Sequence, residues 1–235
     1  MELNGCNDHF IDSNVVLGFV IGWDSLRDKS SSYFDLEDII RYSSERVYEE
    51  CEIVLNNIKR WILLFIYKIH KYCEKKSSTN FKFDLSRILD KIVSDICQQY
   101  SFECNKVRGS LEGFCKKYES DLIEIMKGNL KYTLFRDRVV EIFNETSNNL
   151  DVVFDNQLDK RNCPKNLGST LFSEYRKLQK VEGLHGADIH ILLDSHYIGF
   201  QVRVSKIGFI TFDKGIIKGK SEIEKILSIN IMKPN

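Results

Sequence analysis

Residues 10–18, Phe-Ile-Asp-Ser-Asn-Val-Val-Leu-Gly, decide the fold of this chain. Two apolar residues lead into a polar triplet, and apolar residues then recur at helical spacing, at Val15, Val16, Phe19 and Val20. This pattern predicts a short buried strand that passes directly into a helix. Asp12 then lies at the carboxyl end of the strand, which is where open α/β sheets bind their ligands.

Two further apolar runs near the end of the chain are predicted to be strands. Residues 207–213 read Ile-Gly-Phe-Ile-Thr-Phe-Asp and end in an acid, as residues 10–12 do, and residues 229–232 form the last run. A capped helix is predicted between them at residues 221–228. Strand and helix therefore alternate, which predicts an α/β fold with a short parallel sheet.

The stretch after the first helix reads as a loop followed by helices. Residues 22–33 are polar and serine-rich, which is typical of a loop. Asp35 is predicted to cap a helical turn, and Ser43 or Ser44 is predicted to cap a longer amphipathic helix.

Residues 59–164 read as one helix after another and are predicted to form a large all-helical insertion, packed on a core of residues 1–58 and 165–235. Residues 59–76 combine several aromatic residues with Lys59, Arg60, Lys68, Lys71, Lys75 and Lys76, against Glu74 alone. A basic surface with aromatic groups suits single-stranded nucleic acid. An amphipathic helix with its aromatic residues inward and its lysines in water is the commoner explanation of such a stretch.

Composition limits the class of protein. Lys+Arg and Asp+Glu both total 34, so no overall field draws the chain to nucleic acid or membrane. The seven cysteines include no C-x-x-C pair, which argues against a zinc ribbon and against a complete disulfide framework. The start of the chain lacks a signal-peptide pattern, and the most apolar stretch, residues 61–67, is too short to cross a membrane. We therefore expect a cytoplasmic protein with no membrane partner.

Several acids occupy positions that an α/β fold can bring together. Asp12 and Asp213 follow predicted strands, Asp188 falls in the first turn of a predicted helix, and Glu50 or Glu49 lies on an early helix. Crowded carboxylates either take up protons or gather hard cations, and oxygen ligands suit Mg²⁺ or Mn²⁺. Such ions can activate water and stabilise a phosphodiester that is being cut. Metal-assisted phosphodiester hydrolysis follows as a hypothesis.

In four places the sequence resembles the ordered acidic motifs of the PIN-domain family. These are Phe-Ile-Asp-Ser-Asn-Val-Val-Leu at 10–17, Tyr-Ser-Ser-Glu-Arg-Val-Tyr-Glu-Glu-Cys at 42–51, Gly-Ala-Asp-Ile-His-Ile-Leu at 186–192 and Phe-Ile-Thr-Phe-Asp-Lys-Gly at 209–215. The resemblance covers about 130 residues, in two blocks at the ends of the chain. It implies a Rossmann-like three-layer α/β/α nuclease fold that acts mostly on single-stranded or structured RNA.

The resemblance also implies roles for individual residues. The four acids that would hold Mg²⁺ or Mn²⁺ and carry catalysis are Asp12, Glu50, Asp188 and Asp213. The choice of Glu50 over Glu49 follows from the six-residue spacing after Ser44. Asn14 matches the polar residue after the first acid, which it orients, and Thr211 matches the small polar residue before the last. We assign both to the substrate-binding part of the site.

Basic residues and histidines lie near these motifs. Residues 201–235 hold seven Lys/Arg against three acids, and Lys214 and Lys218 lie close enough to Asp213 to meet a phosphate, although solvated lysines are the commoner case. The spacing of His185, His190 and His196 does not place two ligands on one helical face, so we expect packing or surface roles rather than a zinc site.

The sequence therefore predicts a metal-dependent endoribonuclease of PIN type. The alternative is a non-catalytic PIN-fold module that binds RNA or a protein. Retention of all four acids favours the enzyme, because a binding module does not require them. RNA is the expected partner, and the sequence leaves open a protein partner on the helical insertion and a homodimer.

Overall fold

The computed structural model describes residues 7–74, 85–100 and 104–234. Within these ranges the chain has an α/β fold with a five-stranded, all-parallel sheet. The prediction of an α/β fold with a parallel sheet is thus confirmed. The strands are β1 (Asp8–Ile11), β2 (Ile40–Ser44), β3 (Asp159–Arg161), β4 (Ile207–Ile210) and β5 (Ile229–Met232).

Helices connect all the strands. In chain order they are α1 (Ser13–Val20), α2 (Arg27–Phe34), α3 (Glu45–Glu74), α4 (Leu85–Tyr100), α5 (Cys104–Lys117), α6 (Glu119–Met126), α7 (Tyr132–Asn156), α8 (Leu167–Thr170), α9 (Phe172–Leu178), α10 (Gly186–Gln201), α11 (Lys214–Lys218) and α12 (Lys220–Ile226). In the part of the chain that the structure describes, none of them is both long enough and apolar enough to span a bilayer.

The chain divides into two compact units. The first, the sheet unit, comprises Met1–Gly22, Leu26–Glu52 and Asn148–Asn235, and the second, the helical unit, comprises Trp23–Ser25 and Ile53–Ser147. Both α3 and α7 have residues in each unit. The boundaries predicted from the sequence, at residues 58 and 164, lie later in the chain than the boundaries of these units.

The core of the sheet unit is centred on β1 and β4. Phe10 and Phe209 are partners in the register of these strands, and their rings stack at 5.7 Å between centroids. All four residues of β4 are buried, as is typical of a central strand covered on both faces. Gly208 leaves no room for a side chain, since a Cβ there would lie 2.7 Å from the ring of His9.

The helical unit has an aromatic core of its own around Trp23. Its ring meets the edges or faces of Phe114, Tyr118 and Phe143 at centroid distances of 5.5–6.2 Å. Gly113 permits this packing, because a Cβ at that position would lie 2.5 Å from the carbonyl oxygen of Trp23. This packing explains why the short segment Trp23–Ser25, which follows α1 in the chain, belongs to the helical unit.

The basic stretch at 59–76 lies mostly on α3, with the alternation of an amphipathic helix. Phe65 is fully buried, whereas Tyr67 is 46% exposed. Lys75 and Lys76 lie outside the described residues. The burial pattern suits a packed helix with a solvated basic face, and the use of that face for RNA stays a prediction.

Three segments differ from the sequence-based predictions. Residues 22–33 are not simply a loop, because α2 forms there and buries Ser30 against Gly18. The predicted turn after Asp35 is short, because residues 40–44 form β2. The predicted insertion at 59–164 is not all-helical, because it contains β3, an edge strand of the sheet. Tertiary packing and strand pairing outweigh the local signals in each case.

Candidate active site

The carboxyl ends of β1 and β4 form the candidate site. Asp12 follows β1 and is the N-cap of α1, while Asp213 follows β4 and is the N-cap of α11. The strand order β3-β2-β1-β4-β5 reverses between β1 and β4, because the chain builds outward from β1 first on one side and then on the other. Such a reversal opens a crevice where α/β sheets bind ligands.

A hydrogen-bond network fixes the Asp12 carboxylate. Its Oδ2 atom accepts hydrogen bonds from the side-chain amide of Asn14 and from the hydroxyl of Thr211, each at 2.6 Å. Its Oδ1 atom accepts one from the backbone N–H of Ser13 at 2.8 Å. Three donors thus converge on a carboxylate that is only 4% exposed, and they favour its ionised form.

Asn14 and Thr211 also join the loops that follow the two strands. The Oδ1 atom of Asn14 accepts from the backbone N–H of Phe212 at 2.9 Å. The Thr211 hydroxyl oxygen accepts from the backbone N–H of Asp213 at 2.9 Å and from the Asn14 amide at 3.1 Å. Both side chains therefore position Asp12 and the turn that carries Asp213, and contact of either with a substrate stays a prediction.

Opposing influences set the protonation of Asp12. Its pKa is raised from 3.8 to about 7, chiefly by burial. The hydrogen bonds from Thr211 and Ser13 lower the pKa, while the charges of Glu50 and Asp213 raise it. Glu50 and Asp213 therefore lie within electrostatic range of Asp12, and the three acids repel one another. A cation among them would favour the ionised form of Asp12.

Glu50 and its neighbour Glu49 differ in their surroundings. Glu49 is exposed, whereas Glu50 is half-buried and its Oε2 atom is buried. The pKa of Cys51 is raised first by burial and then by the charges of Glu50 and Asp12. Of the two candidate acids on α3, Glu50 is thus the one whose charge acts inside the site.

Asp188 and Asp213 each cap the start of a helix. Asp213 Oδ1 accepts a backbone N–H of α11 at 2.9 Å, and Asp188 Oδ2 accepts the backbone N–H that precedes α10 at 2.8 Å. The turns that carry them meet, because a Cβ on Gly215 would lie 2.6 Å from the carbonyl oxygen of Gly183. The fold thus gathers Asp12, Glu50 and Asp213, and it places the turn before Asp188 against the turn after Asp213.

The donor set of the site fits a hard cation in its chemistry. Carboxylate oxygens are the ligands that Mg²⁺ and Mn²⁺ prefer. The pKa of Asp12 is raised chiefly by burial, and the negative charges of Glu50 and Asp213 raise it further. Within residues 7–74, 85–100 and 104–234, however, no three or more His, Cys, Asp or Glu side chains are already arranged to hold a metal ion. Ion binding would therefore require the acidic side chains to turn toward Asp12.

Lys214 and Lys218 are the first and last residues of α11, the helix that Asp213 caps. Both are exposed, and Lys214 comes directly after Asp213. The Nζ atom of Lys218 lies 3.1 Å from Oε1 of Glu182, and both side chains are largely in solvent. Because such surface pairs contribute little, this contact would not prevent Lys218 from meeting a phosphate.

A second polar cluster in the sheet unit was not singled out from the sequence. The Nε atom of Arg46 donates a hydrogen bond to Oδ2 of the buried Asp194 at 3.2 Å. His190 lies one turn before Asp194 on α10, and its ring is 5.5 Å from the ring of Tyr175. The four-residue spacing of His190 and Asp194 places both on one face of α10, but no local pattern in the sequence indicates that Arg46 lies beside them.

The histidines of α10 and its cap differ in their burial. His185 is exposed at the N-cap, and His190 is half-buried. His196 is buried and accepts the backbone N–H of Ser228 at 3.0 Å through Nδ1. Burial lowers the pKa of both His190 and His196, so it favours their neutral forms.

Comparison with known proteins gives no relative for this chain. No protein-family model matches it, and neither a curated protein nor a solved structure does. The likeness to PIN domains therefore stays a prediction that rests on the acidic motifs and their order.

Proposed function

We propose that the chain is a metal-dependent endoribonuclease with a PIN-like α/β/α fold. The observation that carries this proposal is the setting of Asp12, which is buried where the strand order reverses and is held by three hydrogen-bond donors. Burial raises the pKa of Asp12 most, and the charges of Glu50 and Asp213 raise it further. Like charges gathered at the ligand-binding edge of a sheet destabilise a fold, and a bound cation would relieve that cost.

The four acids would share the ion. Asp12, Glu50, Asp188 and Asp213 would hold Mg²⁺ or Mn²⁺ through carboxylate oxygens. When bound, such an ion supplies Lewis-acid activation of water and stabilises the charge on a phosphodiester that is being cut. The burial of Asp12 limits competition from solvent, which strengthens electrostatic interactions at the site.

The remaining residues orient the acids and the substrate. Asn14 and Thr211 hold Oδ2 of Asp12 in one direction, as the partners of metal ligands commonly do. Lys214 and Lys218 would bind RNA phosphates as point charges, which positions the strand without reading its sequence. RNA is the substrate class that the resemblance implies.

A non-catalytic PIN-like module that binds RNA or a protein is the second candidate. It is favoured by the lack, among the described residues, of three ligands already arranged for a metal ion. A protonated Asp12 would also allow the acids to coexist without any cation. Binding of a metal ion to the folded protein separates the two candidates.

Thermal unfolding with EDTA, Mg²⁺ or Mn²⁺ tests the proposal. Mn²⁺ at about 100 times its Kd should stabilise the folded protein by about 2.7 kcal/mol, which raises Tm by roughly 5–10 °C. The shift should be larger at pH 8 than at pH 6, because the ion must displace a proton from Asp12, whose pKa is about 7. Asp188→Asn should lose most of the shift.

Asp28→Asn is the matched control, since Asp28 is also an acid in the first turn of a helix, α2. This variant should keep the full Mn²⁺ shift. If Mn²⁺ raises Tm equally in Asp188→Asn and in wild type, Asp188 does not bind the ion. A wild type that shows no shift at either pH would refute metal dependence and favour the binding module.

Thr211→Val tests the hydrogen-bond network. Valine keeps the shape of threonine but removes one donor to Asp12 and the acceptor of the Asp213 N–H. Metal-dependent RNA cleavage should fall about 10- to 100-fold, as is typical when the partner of a metal ligand is lost. Thr211→Ser retains the hydroxyl and should retain most of the activity, measured well below the Tm of each variant. Equal rates for the valine variant and wild type would mean that the network has no catalytic role.

A further inference from the structure

Arg46 is held in a fixed position by a buried carboxylate. Its Nε atom lies 3.2 Å from Oδ2 of Asp194, whose side chain is 1% exposed, whereas the Arg46 side chain is 31% exposed. A guanidinium has five N–H donors in a planar fork, and this contact engages the Nε side. The two terminal nitrogen atoms of Arg46 therefore belong to a guanidinium whose position is fixed and which is partly exposed. A guanidinium fixed in this way can bind a phosphate through two parallel hydrogen bonds.

Stability alone does not explain the ion pair between Arg46 and Asp194. Taking Asp194 out of water raises its pKa through burial, and Arg46 partly offsets that effect. A buried ion pair is commonly no more stabilising than an apolar pair of the same volume. A charged pair at the ligand-binding edge of the sheet is therefore better explained by a task for Arg46 than by folding alone.

Arg46 also lies beside the acidic site. It is four residues before Glu50 on α3, so both side chains project from one face of the helix with their Cβ atoms about 5–6 Å apart. The strand that leads into α3 is β2, which pairs with β1, and the Ser43 hydroxyl donates to the carbonyl of Ile11 at 3.3 Å. Arg46 and Asp12 therefore follow the carboxyl ends of neighbouring strands.

An aromatic pair completes this second cluster. The rings of His190 and Tyr175 are 5.5 Å apart and tilted by 39°, and both residues are half-buried. Gly168 packs directly against both rings, because a Cβ there would lie 3.3 Å from the Tyr175 ring and 3.4 Å from the His190 ring. His190 lies within electrostatic range of Arg46 and Asp194. Partly exposed aromatic rings beside a cationic group are typical of sites that stack the bases of single strands.

We infer that Arg46, His190 and Tyr175 form a subsite for one nucleotide of single-stranded RNA, next to the phosphodiester that is cut. Arg46 binds the phosphate of that nucleotide, and the aromatic pair contacts its base. Asp194 acts as a positioning residue that fixes the Arg46 fork. This inference rests on the proposed function, because it takes RNA as the substrate.

RNA affinity at several salt concentrations tests the subsite in an Asp12→Asn background, where cleavage does not interfere. The probe is a short unstructured oligouridylate. Arg46→Gln should weaken binding about tenfold and reduce the slope of log K against log salt by about 0.7, as for one lost phosphate contact on a single strand. Tyr175→Leu should weaken binding about tenfold with an unchanged slope, because stacking releases no counterions.

Arg27→Ala is the control, since Arg27 on α2 also makes one side-chain hydrogen bond, to the carbonyl of Phe19 at 3.1 Å. It should change neither the affinity nor the slope. If Arg46→Gln lowers Tm but leaves affinity and slope as they were, the ion pair with Asp194 is structural and the inference fails. If glutamine prevents folding, Arg46→Lys decides instead: it should keep the slope and lose several-fold in affinity, and an unchanged affinity would overturn the subsite.

Failure of the subsite and failure of the proposed function give different results. Wild type that cleaves RNA with Mn²⁺, together with an Arg46→Gln variant of unchanged KM, would overturn the subsite alone. Wild type that never cleaves but binds RNA with the Arg46-dependent slope would overturn the nuclease and support an RNA-binding subsite.

Discussion

Asp12→Asn is expected to lower kcat for metal-dependent RNA cleavage by at least about a hundredfold. Asparagine keeps the size of the side chain but removes the charge that would bind Mg²⁺ or Mn²⁺. It also turns an N–H₂ group toward one of the three donors that now surround the carboxylate. Single-turnover cleavage of a labelled RNA, at saturating Mn²⁺, measures the change.

Asp28→Asn, which alters an acid on α2, should cleave at the wild-type rate in the same assay. Circular dichroism of Asp12→Asn should match wild type, so that a lost rate is not a lost fold. An Asp12→Asn variant that cleaves within a few-fold of wild type would show that the acids at this edge of the sheet are not the catalytic centre.

Metal-free wild type is expected to lose on the order of 4 kcal/mol of unfolding free energy, relative to Asp12→Asn, as the pH rises from 4 to 7. The pKa of Asp12 is 3.8 as a model group and about 7 in the folded protein. Below the lower value both states hold the proton and the stabilising contribution is complete. As the pH rises, the unfolded chain releases its proton first, so the stabilisation from Asp12 decreases steadily. The decrease stops once the pH passes the pKa of Asp12 in the folded protein.

Urea unfolding in EDTA across this pH range measures the effect. The difference between wild type and Asp12→Asn isolates Asp12 from other groups, among them His190 and His196, whose pKa values are lowered by burial. Parallel pH profiles for the two proteins would mean that Asp12 is not the group that burial and its acidic neighbours perturb. Saturating Mn²⁺ should remove the loss in wild type.

The central strands were predictable because their burial leaves a plain signal in the sequence. Strand β1 ends in Phe10-Ile11, and β4 and β5 are short, mostly apolar runs. An acid follows β1 and β4 in each case. Strand β2 reads Ile-Arg-Tyr-Ser-Ser, and the small buried residues at its end resemble helix-capping residues. Strand β3 reads Asp-Lys-Arg, and only pairing with β2 at the edge of the sheet defines it.

Helices that depend on distant packing were harder to predict than isolated amphipathic ones. Helix α2 is serine-rich, with weak intrinsic preference for a helix, and Ser30 fits only because Gly18 on α1 has no side chain. The packing of Trp23 could not be predicted from the sequence either, because the aromatic residues around it lie about 90 or more positions later in the chain.

In the candidate site, the acids could be chosen from the sequence, but the links between them could not. Order and local context pointed to Asp12 and Asp213, which each follow an apolar run. The Asn14 contact with Phe212 joins residues 198 positions apart, and the Arg46 contact with Asp194 joins residues 148 positions apart. No local spacing encodes contacts of that kind, because they depend on which strands lie side by side.

The donor pattern around Thr211 also determines where a proton can reside on neutral Asp12. The two lone pairs of the Thr211 hydroxyl face N–H donors from Asn14 and Asp213, so its single hydrogen must point at Oδ2 of Asp12. Oδ2 also receives the Asn14 amide and has no free lone pair. Oδ1 receives the Ser13 N–H at 2.8 Å, and the Ser13 hydroxyl lies 3.5 Å away and can rotate to accept a proton. Protonation therefore falls on Oδ1, and Oδ2 is the carbonyl oxygen of the neutral acid.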